Sequence, residues 1–225
     1  MTINLKKHFV KYKALVQMVD KIFDRVKNEY PKEVFCRKKC SDCCYAIFDL
    51  TLIEALYLND KFFKTFSGQQ KNNLIEIADK TDRVLVKMKR NAYKEVKKGV
   101  DQLEIVGKMS QKRVRCPLLG QDNLCVMYEH RPITCRIYGI PISTAGSSHI
   151  CGRTNFDQGK SYPTLNMDKI YTQLQLFSVQ LVKDINSENI KMHELLIPVS
   201  MAIITEFNKE YLGVTNSGNI QQKTD

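Results

Sequence analysis

Residues 36–44 read Cys36-Arg-Lys-Lys-Cys40-Ser-Asp-Cys43-Cys44, half of the chain's eight cysteines in one short stretch. Two or three intervening residues let a chain loop back so that successive sulfurs reach one metal, and Cys36, Cys40 and Cys43 meet that requirement. Cys44 adds less simply, because adjacent residues point apart. One of Cys43 and Cys44 therefore serves a second metal or packs as a small hydrophobe. The other four, Cys116, Cys125, Cys135 and Cys151, are too widely spaced for a local knuckle. They join the first group only if the fold brings patch 116–151 onto patch 36–44. Eight sulfurs then make two four-sulfur sites, or one site of four with spares.

Around these patches the pattern is helical. Leu5, Phe9, Tyr12, Val16, Val19, Phe23, Val26 and Tyr30 recur at spacings of four and three, which predicts a helix over 3–30 ended by Pro31. Thr51-Leu-Ile-Glu54 has the form of a capping box opening a short helix to about Asn59, and Ser67-Gly-Gln-Gln70 that of a second. The second opens a helix over 68–98, stopped by Gly99, with Leu74, Ile77, Val84, Met88, Ala92 and Val96 facing inward. Met167, Ile170, Leu174, Phe177 and Leu181 predict a helix over 167–184. Leu196, Val199, Ile203, Phe207 and Tyr211 predict another over 194–212. Between 111 and 157 the helical period disappears. Val114 to Tyr128 reads as a short β-hairpin about Gly120-Gln-Asp-Asn123, with irregular loops beyond it, and the tail from Thr215 is polar. The expected fold is mainly α: one domain over 1–225, with a short β-hairpin and cysteine-bearing loops.

Composition fits that picture. The 225 residues are 43% hydrophobic and 26% charged, which excludes wholesale disorder. No apolar run approaches the roughly 18 residues of a membrane span. Met1 to Val10 carries Lys6, Lys7 and His8 with no signal-peptide pattern, so the chain is expected to be cytoplasmic and its thiols reduced. The net charge of +11 is local: Arg83 to Arg115 holds eleven Lys and Arg against three acids, a net +8. Arg83, Lys87, Arg90, Lys94 and Lys98 share one helix face. Such a face is ordinarily just solvated, but it could track the phosphates of a nucleic acid through the stretch 83–115.

Thiolates ligate zinc and iron–sulfur clusters, so metal binding is the first functional expectation. Cys36, Cys40, Cys43, Cys116, Cys125 and Cys135 lead the ligand set, followed by Cys44 and Cys151. Arg37, Lys38, Lys39, Arg131, Arg153 and above all Arg136, next to Cys135, offer cations to an anionic centre. Open loops with basic neighbours favour an iron–sulfur cluster of the 4Fe-4S type over zinc. His130 and His149 could replace a cysteine, though solvent-facing loop histidines are commoner; His8 and His193 read as surface residues. Glu54 reads as a cap rather than a base. Tyr128 and Tyr138 could wall the site from water.

Cys40-Ser-Asp-Cys43-Cys44, Cys116-Pro-Leu-Leu and Leu124-Cys125-Val-Met-Tyr128-Glu-His-Arg131-Pro132-Ile-Thr-Cys135-Arg136-Ile-Tyr-Gly139 together resemble the YkgJ-like cysteine-cluster proteins. Those carry a CxxCxxCC signature and are described as zinc- or iron-chelating. The resemblance spans about 36–151, and the first spacing here is three residues where the family usually has two. The same motif is similar to the flagellin lysine N-methylases. That likeness implies an S-adenosylmethionine-dependent protein methyltransferase, with a protein as substrate, as the enzymatic alternative. No Gly-rich loop follows a strand to hold that cofactor. Cys36-x3-Cys40-x2-Cys43 also matches radical S-adenosylmethionine spacing. Asp42, however, stands where that chemistry places an aromatic, and strands do not alternate with helices.

Overall fold

The computed structural model describes residues 3–214. Among them are helices α1 (Lys6–Glu29), α2 (Leu52–Thr65), α3 (Gly68–Lys97), α4 (Gln102–Ser110), α5 (Ile133–Ile137), α6 (Met167–Asp184) and α7 (Val199–Ile204). Short strands β1 (Asp49–Leu50) and β5 (Ile197–Pro198) pair antiparallel, and β2 (Ile142–Thr144) lies between antiparallel β3 (Ser147–His149) and parallel β4 (Leu165–Asn166). The mainly α class holds. No helix among the described residues is long and apolar enough to cross a membrane. The tail from Thr215 lies outside the described residues.

Helix α2 is the centre of the packing. Leu52 to Leu58 are all buried, so its first two turns turn no face to water, and α1, α6 and α7 pack around it. Its start is the expected capping box: the Thr51 N–H and hydroxyl donate to Glu54 Oε2 at 3.2 and 3.0 Å. Glu54 Oε1 accepts the Ile133 N–H at 3.2 Å. One buried carboxylate thus joins the start of α2 to the start of α5, which carries Cys135. Burial pushes its pKa up, opposed by the hydrogen bonds from Ile133 and Thr51. The helix runs past Asn59 because that side chain is engaged elsewhere. Its Nδ2 donates to the carbonyls of Ala202 and Thr205 at 2.9 and 3.0 Å instead of competing for its own backbone.

Helix α1 buries Tyr12, Val16, Val19 and Val26 of its predicted stripe. His8 corrects the surface reading: it is 2% exposed, with Nε2 3.3 Å from Asp184 Oδ2. Burial pulls its pKa down against the raising effect of Asp184.

Helix α3 ends at Gly99 as predicted, with φ +87° and its N–H on Val96 O at 2.9 Å. Ser67 precedes its first residue without a side-chain capping bond. The inward face differs from the expectation, because it buries Ala78, Asp82 and Leu85 while Ile77 and Val84 stay exposed. Asp82 decides this, since its carboxylate accepts the buried Ser200 hydroxyl at 2.9 Å and docks α3 on α7. A polar residue set the face, and hydrophobic spacing could not show it. The cations Arg83, Lys87, Arg90, Lys94 and Lys98 are exposed as predicted. Helix α4, absent from the sequence reading, is capped by Asp101, which accepts the N–H groups of Leu103 and Glu104.

The predicted helix over 194–212 is corrected. That stretch contains β5, the six-residue α7 and then turns. Proline disfavours helical backbone at the residue before it, so Ile197-Pro198 is extended and pairs with β1, and α7 begins just after. The predicted hairpin is shorter than expected. At 116–128 the chain reverses about Gly120–Asn123 as predicted, with the Gly120 N–H on Leu124 O at 2.8 Å and the Val126 N–H on Leu118 O at 2.9 Å. The pairing stops at the one bridge, Leu119 to Cys125, while a longer hairpin is β2–β3, turned by Ala145 and Gly146 at φ +49° and +78°.

Glu54→Ala removes all three acceptor contacts and leaves the Ile133 N–H unpaired in the core. It should cost about 2–4 kcal/mol of stability in denaturant unfolding; a loss under about 0.5 kcal/mol would remove Glu54 as the link between α2 and α5.

Candidate metal centre

The two cysteine patches are stitched together by backbone. The Cys116 N–H donates to Cys44 O at 2.7 Å, the Val114 N–H to Tyr45 O at 3.0 Å, and Ala46 bridges Arg113 antiparallel. Arg113 also donates to the carbonyl and the carboxylate of Asp42 at 2.9 and 2.7 Å. Residues 113–116 therefore run alongside the turn at 42–46, and cysteines from both patches line one interior. Lys39, at φ +71°, reverses the chain before Cys40, and a single tight helical turn, Asp42–Tyr45, presents Cys43 and Cys44.

All eight cysteines are free. Six of them, Cys40, Cys43, Cys44, Cys116, Cys125 and Cys135, line one cavity of about 40 Å³ walled by Phe48, Leu58, Leu118 and Met127. Cys36 and Cys151 lie in an adjoining cavity of about 10 Å³, which Cys40 and Cys43 also line. Each cysteine named from the sequence is thus brought to one of two neighbouring spaces. Among the described residues, no three His, Cys, Asp or Glu side chains already meet in the geometry that holds a single ion. The thiols share walls rather than a point.

Three of the sulfurs are approached by backbone donors two residues further on. The N–H groups of Leu118, Met127 and Arg153 donate to the sulfurs of Cys116, Cys125 and Cys151, the last at 3.5 Å. Hydrogen bonds of this kind stabilise thiolates and tune metal–thiolate centres. The sequence carried a signal for them in the Cys-x-x spacing to a non-proline donor, which only the backbone course makes readable.

The cation next to the thiols is Arg131. It lines the larger cavity, donates its Nε–H to Tyr128 O at 2.9 Å and stacks its guanidinium 3.6 Å over the Tyr128 ring. Arg136, the sequence favourite, points the other way. It binds Asp20 on α1 at 2.8 and 3.1 Å and the carbonyls of Glu129 and Arg131, tying α5 to α1. Lys39 lines the larger cavity and Arg153 the smaller, while Arg37 stacks on Phe35. Tyr128 and Tyr138 wall the larger and the smaller space respectively. Neither His130 nor His149 lines either one. His130 Nδ1 lies 3.5 Å from the Tyr57 hydroxyl, and His149 is exposed on β3.

Burial makes thiolates costly here. It is the first cause of the upward shift at Cys36, to about 11, and at Cys116, to about 12. Burial likewise raises Cys125 and Cys135. Cys43 is pushed far up, first by its hydrogen bond with Cys44 and then by burial. Neighbouring thiolates add to the shift in two sets: Cys43, Cys116 and Cys125 act on Cys135, whereas Cys40, Cys43 and Cys151 act on Cys36. Arg131 opposes it at Cys36, Cys43, Cys125 and Cys135.

These directions fix a pH dependence. A thiol whose folded pKa lies above its unfolded value keeps its proton longer in the fold, so the unfolded chain binds fewer protons above pH 9 and stability falls as pH rises. The metal-free chain should therefore lose thermal stability between pH 9 and about 11, the range set by Cys36. A metal-loaded chain, its thiols already deprotonated, should not. Melting temperatures of both forms across that range check this, and parallel curves would contradict it.

No curated protein and no solved structure matches the chain, so the methylase and S-adenosylmethionine readings rest on the motif alone. One family model does match, CxxCxxCC, "Putative zinc- or iron-chelating domain", over residues 35–152, which takes in every cysteine and more than half of the 225 residues. With both cysteine patches inside that window and stitched together in the fold, the chain belongs to the CxxCxxCC zinc- or iron-chelating family.

Proposed function

We propose that the chain carries an iron–sulfur cluster of the four-iron type, held by Cys43, Cys116, Cys125 and Cys135 inside a single helical domain. The observation that carries this reading is the larger cavity, with cysteines from four separate backbone segments around one apolar-walled space. Its volume of about 40 Å³ is several times what one water-sized sphere needs, roughly 10–15 Å³.

The surroundings agree. A four-iron cluster on four thiolates is anionic, and Arg131 supplies the adjacent cation. The N–H donors of Leu118 and Met127 are aimed at two of the proposed ligands. Phe48, Leu58 and Met127 keep water from the interior, which holds a cluster's potential low. With four thiolates on it the cluster is saturated, and the chemistry it supplies is one-electron transfer or structural support. Eight free thiols suit a reducing, cytoplasmic setting.

Purification without oxygen, followed by iron, acid-labile sulfide and zinc analysis, tests the reading. A brown protein with iron and sulfide in equal amounts is expected, and the colour should vanish in Cys116→Ser and Cys135→Ser. A colourless protein with stoichiometric zinc and no sulfide overturns the cluster.

A further inference from the structure

The second half of α3 breaks a rule that its first half keeps. Early in the helix each exposed cation has an acid one turn before it: Lys80 Nζ lies 2.6 Å from Glu76, and Arg83 Nε 2.9 Å from Asp79. From Lys87 onward this stops. Among the described residues no carboxylate pairs with Lys87, Arg90, Lys94 or Lys98, all of them exposed. The three acids of the stretch 83–115 are engaged elsewhere. Glu95 and Glu104 both turn to Lys108, at 3.9 and 2.8 Å. Asp101 caps α4 by accepting the N–H groups of Leu103 and Glu104 at 2.9 and 3.1 Å. Neighbouring cations are held as well: Lys89 on Asp49, Arg113 on Asp42 and Lys97 over the Tyr93 ring. What is left is a row of one sign.

Packing sets the direction of that row. Ala78, Asp82 and Leu85 are the buried side of α3, and Met88, Ala92 and Glu95 line the cleft against α4. At about 3.6 residues per turn, Arg83, Lys87, Arg90, Lys94 and Lys98 fall within an arc of about 80° on the side away from both. No apolar residue falls in that arc. From Lys87 to Lys98 the row is about 16 Å long at ~1.5 Å per residue. One strand of a duplex carries a phosphate every ~3.4 Å of axis, so roughly five phosphates lie within that length. Four unpaired cations in a line match that count. Like charges three and four residues apart destabilise a helix, so the row weakens the free chain. The helix dipole favours cations in the last turn, which accounts for Lys94 and Lys98, but it falls off before Lys87 and Arg90.

We propose that this face binds the phosphate backbone of a nucleic acid, with Lys87, Arg90, Lys94 and Lys98 as the contacts. Arg90 offers a planar guanidinium to two phosphate oxygens, and the three lysines act as point charges. Backbone contacts carry no base information, so this binding is independent of sequence. A narrow line of cations suits a linear polyanion. A membrane surface spreads its charge over a plane, and gripping it takes apolar side chains beside the cations, which the row lacks. The inference is independent of which metal the thiols hold.

Fluorescence anisotropy of a labelled DNA duplex about two turns long, titrated with the full chain purified without oxygen, tests this. The duplex should bind, with log K falling against log salt at a slope of about −3.6, or about 0.9 per cation. Affinity should then drop roughly a hundredfold between about 50 and 200 mM salt. Lys87→Gln combined with Arg90→Gln should halve the slope and weaken binding roughly tenfold or more at about 50 mM salt. Lys27→Gln combined with Lys191→Gln, which removes two exposed cations on α1 and before β5, should leave both unchanged. Duplexes of unrelated sequence should bind alike. No binding at low salt, equal losses in the two double variants, or tighter binding to phosphatidylserine vesicles than to the duplex would each overturn the proposal.

Discussion

The structure depends on a stretch of backbone pairing that is only a few residues long. Residues 42–46 and 113–116 are separated by the three helices α2, α3 and α4, yet their main chains exchange hydrogen bonds at Cys44, Tyr45, Ala46, Arg113, Val114 and Cys116. Backbone groups buried without partners cost free energy, and the N–H groups of the half-buried Val114 and Cys116 find theirs in the carbonyls of Tyr45 and Cys44. That pairing converts two sequence-distant sets of sulfurs into neighbours. The helices serve it: α2 anchors the strand just after the first patch, and Glu54 fixes α5, hence Cys135, against the start of α2.

A scaffold that collects eight thiols works against itself when they ionise without a metal. Burial and mutual repulsion disfavour the thiolates of Cys36, Cys43, Cys116, Cys125, Cys135 and Cys151, while the N–H groups aimed at Cys116, Cys125 and Cys151, and Arg131 nearby, favour them. These opposed terms are reconciled by a cation. Metal ligation deprotonates the sulfur, neutralises the repulsion and lets the donors meet the charge they are arranged for, so metal binding and folding share free energy. On this view the stretch from Arg113 to Gly139, poor in regular structure, takes its shape from the centre it surrounds as much as from packing.

Much of this was readable in the sequence, and the exceptions have physical causes. The helices over 3–30, 68–98 and 167–184 show because long amphipathic stripes survive any tertiary context, and the Thr51–Glu54 box shows because capping is local chemistry. The partition of the cysteines into two patches was plain, and their approach followed from the need to surround something. Helix 194–212 misled because a stripe of apolar residues does not register that Pro198 forbids the turn before it. The face of α3 misled because the buried contact is Asp82 with Ser200, a polar pair invisible to hydrophobic spacing. Arg136 was favoured over Arg131 because adjacency in sequence is not adjacency in space: on the short α5, the residue after Cys135 turns toward α1. Which thiols share a cavity could not be read from spacings, since that depends on where loops cross.

The most direct test of the account is to map which cysteines one binding event covers. The reduced, metal-free chain is loaded stepwise with cobalt or with iron and sulfide, alkylated at each step, digested, and every thiol scored by mass spectrometry. The account predicts that Cys43 becomes protected in the same step as Cys116, Cys125 and Cys135, across both patches. Protection confined to 36–44 while the later cysteines go on reacting would contradict it.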